Sequence, residues 1–182
     1  TAIGRMMADV QREHGVDLRT GTGVLSLLDD DSGRLCGARL TDGSTVDVDL
    51  AVVAVGAVPN SEWLTGSGVA QDAGGVLCDV AQRALDTDGQ PMDDVFVAGD
   101  IARHPSPSAG PGPWTSEHWG AAVSQADVAA RNLVHDSNVP HESPAVFWTM
   151  QFGNVLKAVG EPSVADSAQV AQGSLDERSG VV

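Results

Sequence analysis

Asp94-Val95-Phe96-Val97-Ala98-Gly99-Asp100 is a run of apolar residues that ends abruptly at a glycine and a carboxylate. Because the apolar residues do not alternate with polar ones, the run predicts a strand covered on both faces, as in a parallel or central sheet. A glycine at the strand end lets a backbone or ligand come close, and the aspartate can accept hydrogen bonds from hydroxyl groups. Taken alone, the pair is better explained as a buried strand with a polar exit, so its interpretation depends on the rest of the chain.

A helix is predicted about 16 residues downstream, with Thr115 or Ser116 as its cap. Its apolar residues recur at spacings of three and four and form one stripe: Trp119, Ala122, Val123, Ala126, Ala129, Ala130 and Leu133. Since small residues dominate the stripe, the helix can lie close to a sheet or a flat ligand. Its first turn offers unpaired N–H groups with partial positive charge.

Together, Val-Phe-Val-Ala-Gly-Asp and the Glu117-His118-Trp119 that opens this helix resemble the second half of the FAD domain in two-domain flavoprotein pyridine-nucleotide reductases. The resemblance is closest to oxygenase-coupled ferredoxin reductases and apoptosis-inducing factor. It implies that Gly99 and Asp100 approach the FAD ribityl chain. It also implies that the N–H groups of His118 and Trp119 face the flavin pyrimidine edge, and that Glu117 and the Trp119 ring help to place the nicotinamide.

The implied reaction is hydride transfer from NAD(P)H to FAD, followed by one-electron steps to a ferredoxin or a similar redox protein. No side chain has to act as nucleophile or base, so no catalytic residue is assigned. No metal site is assigned either, because three adjacent carboxylates at residues 29–31 are typical of a solvated turn.

The first 60 residues predict a helix, a meander and a second covered strand. The helix carries Ile3, Met6, Met7 and Val10 on one face and ends near His14-Gly15, before a short strand at residues 16–18. A period of two then predicts three antiparallel strands between residues 23 and 48. Residues 49–60 predict the covered strand. By resemblance it closes the NAD domain, and its glycine loop with Gly56 and Pro59 returns the chain to the FAD domain beside the dinucleotides.

The remaining segments predict short elements and loops. They are a short helix at residues 61–64, a strand at 76–79, a polar loop at 86–91, a surface loop at 104–113, a polar linker at 136–144 and a hairpin over 147–160. His104 is expected to be solvated in its loop.

The predicted fold class is therefore α/β. It combines the second halves of an NAD domain with a three-stranded β-meander and of an FAD domain, plus the start of a C-terminal α/β reductase domain. The expected boundaries are residues 1–57 for the NAD part, 58–138 for the FAD part and 139–182 for the beginning of the C-terminal domain.

Composition excludes several classes of partner. The net charge of −15 arises from 25 acidic and 10 basic residues, so nucleic acid and anionic membranes are not expected partners. No run of residues reaches the roughly 18 to 20 apolar residues of a membrane span. The cysteines, Cys36 and Cys78, form no Cys-x-x-Cys motif, and a reducing cytoplasm is the default location.

No Gly-x-Gly-x-x-Gly occurs in the 182 residues, so this piece alone is expected to bind FAD and NAD(P)H weakly or not at all, and to be inactive. Apolar faces left exposed by truncation would favour a homodimer. Two alternatives remain open at this level: another branch of the superfamily, such as an NADH oxidase or a nitrite or disulfide reductase, and an inactive α/β scaffold module.

Overall fold

The structure is a computed structural model that describes residues 1–105, 112–160, 162 and 165–182. It is mixed α/β and divides into two compact units. One comprises Thr1–Gly56 with Gly173–Gly180, and the other comprises Ala57–Gln172 with Val181–Val182. The domain boundaries predicted from the sequence stay a prediction.

The first unit contains one helix and the meander, and the sequence predicted both. Its elements are α1 (Ala2–Glu13), β1 (Val24–Asp29), β2 (Leu35–Leu40) and β3 (Thr45–Asp47). Thr1 caps α1 by accepting a hydrogen bond from the Gly4 N–H at 3.1 Å, and Val10 is fully buried. The strands lie antiparallel in the order β1-β2-β3.

The turn between β1 and β2 has ordinary turn chemistry. Asp30 Oδ1 accepts hydrogen bonds from the N–H and hydroxyl of Ser32 and from the Arg34 N–H. These bonds, led by the Ser32 hydroxyl, lower the pKa of Asp30. The acidic cluster therefore stabilises a hairpin turn.

Two strands predicted in this part of the chain are absent. Residues 16–19 follow the helix as irregular chain, and residues 49–60 have no strand assignment. The large apolar side chains of the second segment are more than three quarters exposed: Leu50, Val52, Val53, Val55 and Val58. A strand needs a hydrogen-bonding neighbour, and the described residues supply none to either segment.

The second unit is built from short strands around one helix. After a 3₁₀ turn at Glu62–Leu64, its elements are β4 (Gln71–Asp72), β5 (Gly75–Leu77), β6 (Arg83–Leu85), β7 (Pro91–Phe96), β8 (Ala102–Pro105), β9 (Pro113–Trp114), α2 (Trp119–His135), β10 (Val146–Gln151) and β11 (Asn154–Val159). A last hairpin, which consists of β12 (Gln172–Ser174) and β13 (Ser179–Val181), belongs largely to the first unit. The short helix, the loop at residues 86–91, the polar linker and the hairpin over residues 147–160 are thus confirmed.

The core of this unit lies around a four-stranded sheet of order β4-β5-β8-β9, in which β5 and β8 are parallel. Its buried apolar residues are Val69, Val76, Cys78, Ala84, Val97 and Ala102. Gly75 permits the close pairing, because a Cβ placed there would lie 2.3 Å from the Ile101 carbonyl oxygen. Burial raises the pKa of the Cys78 thiol to about 12, which keeps this residue protonated and inert.

The prediction of a parallel or central strand at residues 94–100 is wrong. β7 ends at Phe96 and pairs antiparallel with β6 alone, in a two-stranded sheet. Val97 is buried, but Val95, Phe96 and Ala98 are only half-buried. The reason is that the described residues supply one strand neighbour, β6, and one covering helix, α2.

The helix is correctly predicted, but its start and its buried face are not. It begins at Trp119 after an extended His118, and neither predicted cap acts as one. Thr115 Oγ1 donates instead to the Gly74 carbonyl at 3.4 Å, and Ser116 is buried. The buried face consists of Ala121, Gln125, Ala129 and Asn132. Only Ala129 belongs to the predicted stripe.

His104, expected to be solvated in a surface loop, is also a correction. It belongs to β8, is 8% exposed and lies edge-on to the Trp114 ring of the paired strand β9. Pairing of β8 with β9 covers the imidazole ring. The proline-rich composition of this stretch did not indicate that pairing. The loop residues 106–111 lie outside the described part of the chain.

Among the described residues, no helix combines the length and the apolar composition needed to cross a membrane. Both cysteines are free thiols, with Cys36 exposed and Cys78 buried.

Candidate functional site

The Gly99-Asp100 turn lies against helix α2. Gly99 has a φ of +82°, and its N–H donates to Gln125 Oε1 at 2.8 Å. A Cβ placed on Gly99 would lie 3.7 Å from the Ala122 Cβ, so the turn contacts the first two turns of the helix. The turn closes through the Ala102 N–H, which donates to the Gly99 carbonyl, and it leaves Asp100 exposed.

The start of α2 presents donors that its own side chains do not satisfy. The first N–H groups of a helix have no partner within it. His118 adopts the N-cap position without a side-chain hydrogen bond to those groups, and Glu117 before it is exposed. The helix dipole adds partial positive charge at this end. An acceptor or an anion placed at the helix start would be stabilised.

Two aromatic pairs join the helix start to strand β10. The His118 ring stacks on Phe147, with ring centroids 4.8 Å apart and planes 18° apart. Trp119 meets Trp148 edge to face at 6.3 Å. Trp119 nevertheless remains 73% exposed, so one aromatic surface is available beside the helix start.

The structure therefore places Gly99, which Asp100 follows, against the first two turns of the helix that Glu117, His118 and Trp119 open. The geometry combines a carboxylate acceptor, backbone donors and an aromatic surface. The roles predicted for Gly56 and Pro59 stay predictions. Gly56 is exposed with a φ of +104°, and Pro59 is half-buried in irregular chain.

The residues that position the turn were missed in the sequence. Gln125 and Asn132 lie on the buried face of α2 and are almost inaccessible to solvent. Gln125 holds Gly99. Asn132 donates to the Ala81 and Val139 carbonyls and accepts from the Val139 N–H and the Ser137 hydroxyl, all within 3.0 Å. A pattern of Ala, Gln, Ala and Asn at spacings of four, four and three was the available signal.

Gln82, which precedes β6, contributes a backbone contact to strand β7. It is fully buried with a φ of +67°, and its backbone carbonyl accepts from the Val97 N–H at 2.9 Å. Backbone bonds of this kind tie β7 and the turn that follows it to the rest of the unit. No group of three or more His, Cys, Asp or Glu residues suited to a metal ion occurs in the part of the chain that the structure describes.

Comparison with known proteins gives consistent matches over most of the chain. Residues 1–126 match the model of the family described as pyridine nucleotide-disulphide oxidoreductase. The ferredoxin–NAD(+) reductase component of a p-cumate 2,3-dioxygenase system from Pseudomonas putida is 34% identical over 162 residues, which cover 89% of this chain and 36% of the relative.

Solved structures agree with these matches. A ferredoxin reductase from Rhodopseudomonas palustris superposes with a TM-score of 0.82 at 27% identity, covering 96% of this chain and 41% of that one. A putidaredoxin reductase, crystallised as a covalent complex with putidaredoxin, gives 0.81 at 25% identity, covering 96% and 40%. The chain thus spans roughly two fifths of the length of the proteins it matches.

Proposed function

We propose, because the chain belongs to the pyridine nucleotide-disulphide oxidoreductase family, that it is the distal part of an FAD-dependent reductase. The whole protein would pass electrons from NAD(P)H through FAD to a ferredoxin-type iron–sulfur protein. The relatives support this proposal, since one is named as a ferredoxin–NAD(+) reductase component and another was crystallised with its redox partner.

The domain assignment follows from the same proposal. Residues 1–57 would complete an NAD(P)-binding domain, residues 58–138 an FAD-binding domain, and residues 139–182 would begin a C-terminal reductase domain. The exposed valine-rich segment at residues 50–58 supports this assignment, because an apolar run of this length is expected to be covered in a complete domain.

The observation that carries the proposal is the contact between the Gly99-Asp100 turn and helix α2. It joins an exposed carboxylate to a helix start whose N–H groups lack a side-chain cap. These groups fit the flavin part of FAD, in which ribityl hydroxyls donate hydrogen bonds and the pyrimidine oxygens accept them. When bound, FAD would supply the hydride and single-electron chemistry.

The chain's own residues would bind and orient the cofactor. Asp100 would accept hydrogen bonds from the ribityl chain, and the N–H groups of His118 and Trp119 would donate to the pyrimidine edge. The partial positive charge of the helix start would stabilise the anionic reduced flavin. Glu117 and the exposed Trp119 ring would help to place the nicotinamide. Gln125 positions the turn through Gly99.

A hybrid protein tests this proposal. The chain would replace the matching 162-residue stretch of the Pseudomonas putida reductase component, and FAD content would be measured by flavin absorbance. We expect a yellow hybrid in which Asp100→Ala weakens FAD binding about tenfold, the loss expected for one or two hydrogen bonds. Asp94→Ala, at an exposed position before the turn, is the matched control. A well-folded but colourless hybrid would favour the scaffold alternative.

The same hybrid distinguishes the acceptor. Faster NADH oxidation with ferredoxin than with oxygen, nitrite or a disulfide would support the ferredoxin reductase proposal over the other branches of the family. The proposed cytoplasmic location and the homodimer are separate points, and light scattering of the chain checks the homodimer directly.

A further inference from the structure

A second polar site lies in the second unit, apart from the proposed flavin residues. It is a pocket of about 420 Å³ between strands β8 and β9, the segment before α2 and the linker that follows the helix. We call it the His104 pocket. None of Gly99, Asp100, Glu117, His118 and Trp119 lines it. Its volume falls in the range of about 300 to 1,000 Å³ that is typical of small-molecule sites.

His104 lines this pocket and has one ring nitrogen without a partner among the described residues. Its Nδ1 lies 3.0 Å from the Pro105 carbonyl oxygen. A carbonyl only accepts, so Nδ1 carries the hydrogen, and in the neutral ring Nε2 keeps its lone pair. This Nε2 is buried and has no hydrogen-bond partner among the described residues. A buried acceptor left unpaired is costly, and it needs an explanation.

Ser116 supplies the second unpaired group. Its side chain is 2% exposed, it lines the same pocket, and its hydroxyl has no partner in the described part of the chain. Two side chains more than nine-tenths buried therefore leave polar atoms unsatisfied in one cavity. A hydroxyl can donate as well as accept, whereas the His104 nitrogen can only accept.

No lysine or arginine is among the described residues that line the pocket. His141 also lines it and contacts the His104 ring edge-on at 5.8 Å. Ser124 donates to the Ala121 carbonyl and therefore accepts from His141 Nε2 at 2.9 Å, which places a hydrogen on that nitrogen. Burial lowers the pKa of His141, which favours its neutral form. Glu142, the remaining ionisable residue of the lining, is acidic.

Most of the remaining wall is apolar. The side chains that face the pocket include an indole, prolines and small aliphatic groups, namely Val80, Pro105, Trp114, Pro140, Pro144 and Ala145. Water could satisfy the two polar atoms, but the apolar wall would then stay hydrated, which is unfavourable. A ligand with one polar group and an apolar body satisfies both parts.

We propose that the His104 pocket binds a neutral molecule that carries a hydroxyl group on an apolar ring. The ligand hydroxyl would donate to His104 Nε2 and accept from the Ser116 hydroxyl, while the ring would lie against Trp114 and the prolines. This site is independent of the proposed flavin site, because its polar groups lie on other residues.

Phenol and toluene test the proposal, because they differ mainly by the hydroxyl group. Each would be titrated into the isotope-labelled chain, and the indole N–H signal of Trp114 would be followed by NMR. The chain has four tryptophans, and a Trp114→Phe variant assigns the signal. We expect a saturable shift with phenol, and binding of phenol about tenfold tighter than that of toluene.

Variants then locate the preference. His104→Phe and Ser116→Ala should each reduce the phenol preference at least threefold without weakening toluene binding. His104→Gln, which retains an acceptor, should keep most of the preference. His135→Phe, at an exposed position on α2, is the matched control. Dispersed amide spectra verify folding. If His104→Phe or Ser116→Ala unfolds, the other variant alone tests the proposal.

Two results would overturn the proposal. An unsaturable or absent phenol shift in the wild-type chain would mean that the pocket holds water only. A phenol preference that survives in both His104→Phe and Ser116→Ala would place the hydroxyl elsewhere.

Discussion

Two apolar runs of similar composition have opposite surroundings in this protein. We call residues 50–58 the exposed run and residues 95–100 the anchored run. The large side chains of the exposed run are more than three quarters accessible, whereas the anchored run contains buried Val97 and ends in a turn held by Gln125. Their sequences predict the same covered strand. An apolar run indicates a need for cover, but it does not identify what covers it.

The difference arises from side-chain amides on the buried face of α2 and from a backbone carbonyl before β6. Gln125 accepts from the Gly99 N–H, and Asn132 donates to the Ala81 carbonyl next to Gln82, whose backbone carbonyl accepts from the Val97 N–H. Each bond satisfies a backbone group that burial would otherwise leave unpaired. The exposed run has no comparable contacts in the residues that the structure describes.

The largest expected effect comes from removing Asn132. Asn132→Leu keeps the side-chain volume approximately but leaves the Ala81 carbonyl and the Val139 N–H without their partner. We expect the free energy of unfolding of the second unit to fall by about 3 kcal/mol, since several buried groups become unsatisfied. All four tryptophans lie in this unit, so urea unfolding followed by tryptophan fluorescence reports on it.

Leu133→Ala is the matched control, because the neighbouring side chain is 58% exposed. It should change the free energy of unfolding by less than about 0.5 kcal/mol. Equal midpoints for Asn132→Leu and Leu133→Ala would contradict the anchoring role of the amide.

A pair of valine truncations compares the two runs directly. Val97→Ala removes buried methyl groups and should lower the free energy of unfolding by about 2 kcal/mol. Val58→Ala, at a position 84% exposed in the same unit, should cost less than about 0.5 kcal/mol. The same denaturant titration measures both. A comparable loss for Val58→Ala would mean that the exposed run is covered in solution, for example by a second copy.

The sequence predicted local structure well and partners poorly. The meander, α1, α2 and the β10–β11 hairpin follow from periodicity and from turn residues within each segment. The buried face of α2 was not predicted, because a search for apolar stripes leaves out polar residues such as Gln125 and Asn132. The burial of His104 depended on its pairing with β9 across a proline-rich stretch. These contacts are set by tertiary structure, which local pattern does not encode.

The candidate site shows the same division. Recognition of the Gly99-Asp100 turn and of the helix start came from motif order, and the structure places Gly99 against the first two turns of that helix. The exact helix start was not predicted from the sequence, because Thr115 and Ser116 are of residue types preferred at the N-cap and His118 is not. Their side chains are used elsewhere, one by the Gly74 carbonyl and the other in the His104 pocket.

The smallest expected effect concerns pH. Burial lowers the pKa of His141, and the neighbouring His104 lowers it further. Since the unfolded chain then binds a proton more readily than the folded one, stability should be complete above pH about 6.5 and should decline as the pH falls below it. No titratable side chain lies within the exposed run, and His141 lies in the second unit, so we expect this contribution from the second unit. His141→Gln, which can still donate to Ser124, should flatten the decline below about pH 6.5 in urea titrations, whereas His135→Gln should leave it unchanged. An equally steep decline in both variants would assign the pH dependence to groups other than His141. His141 would then not contribute to the difference between the anchored run and the exposed run.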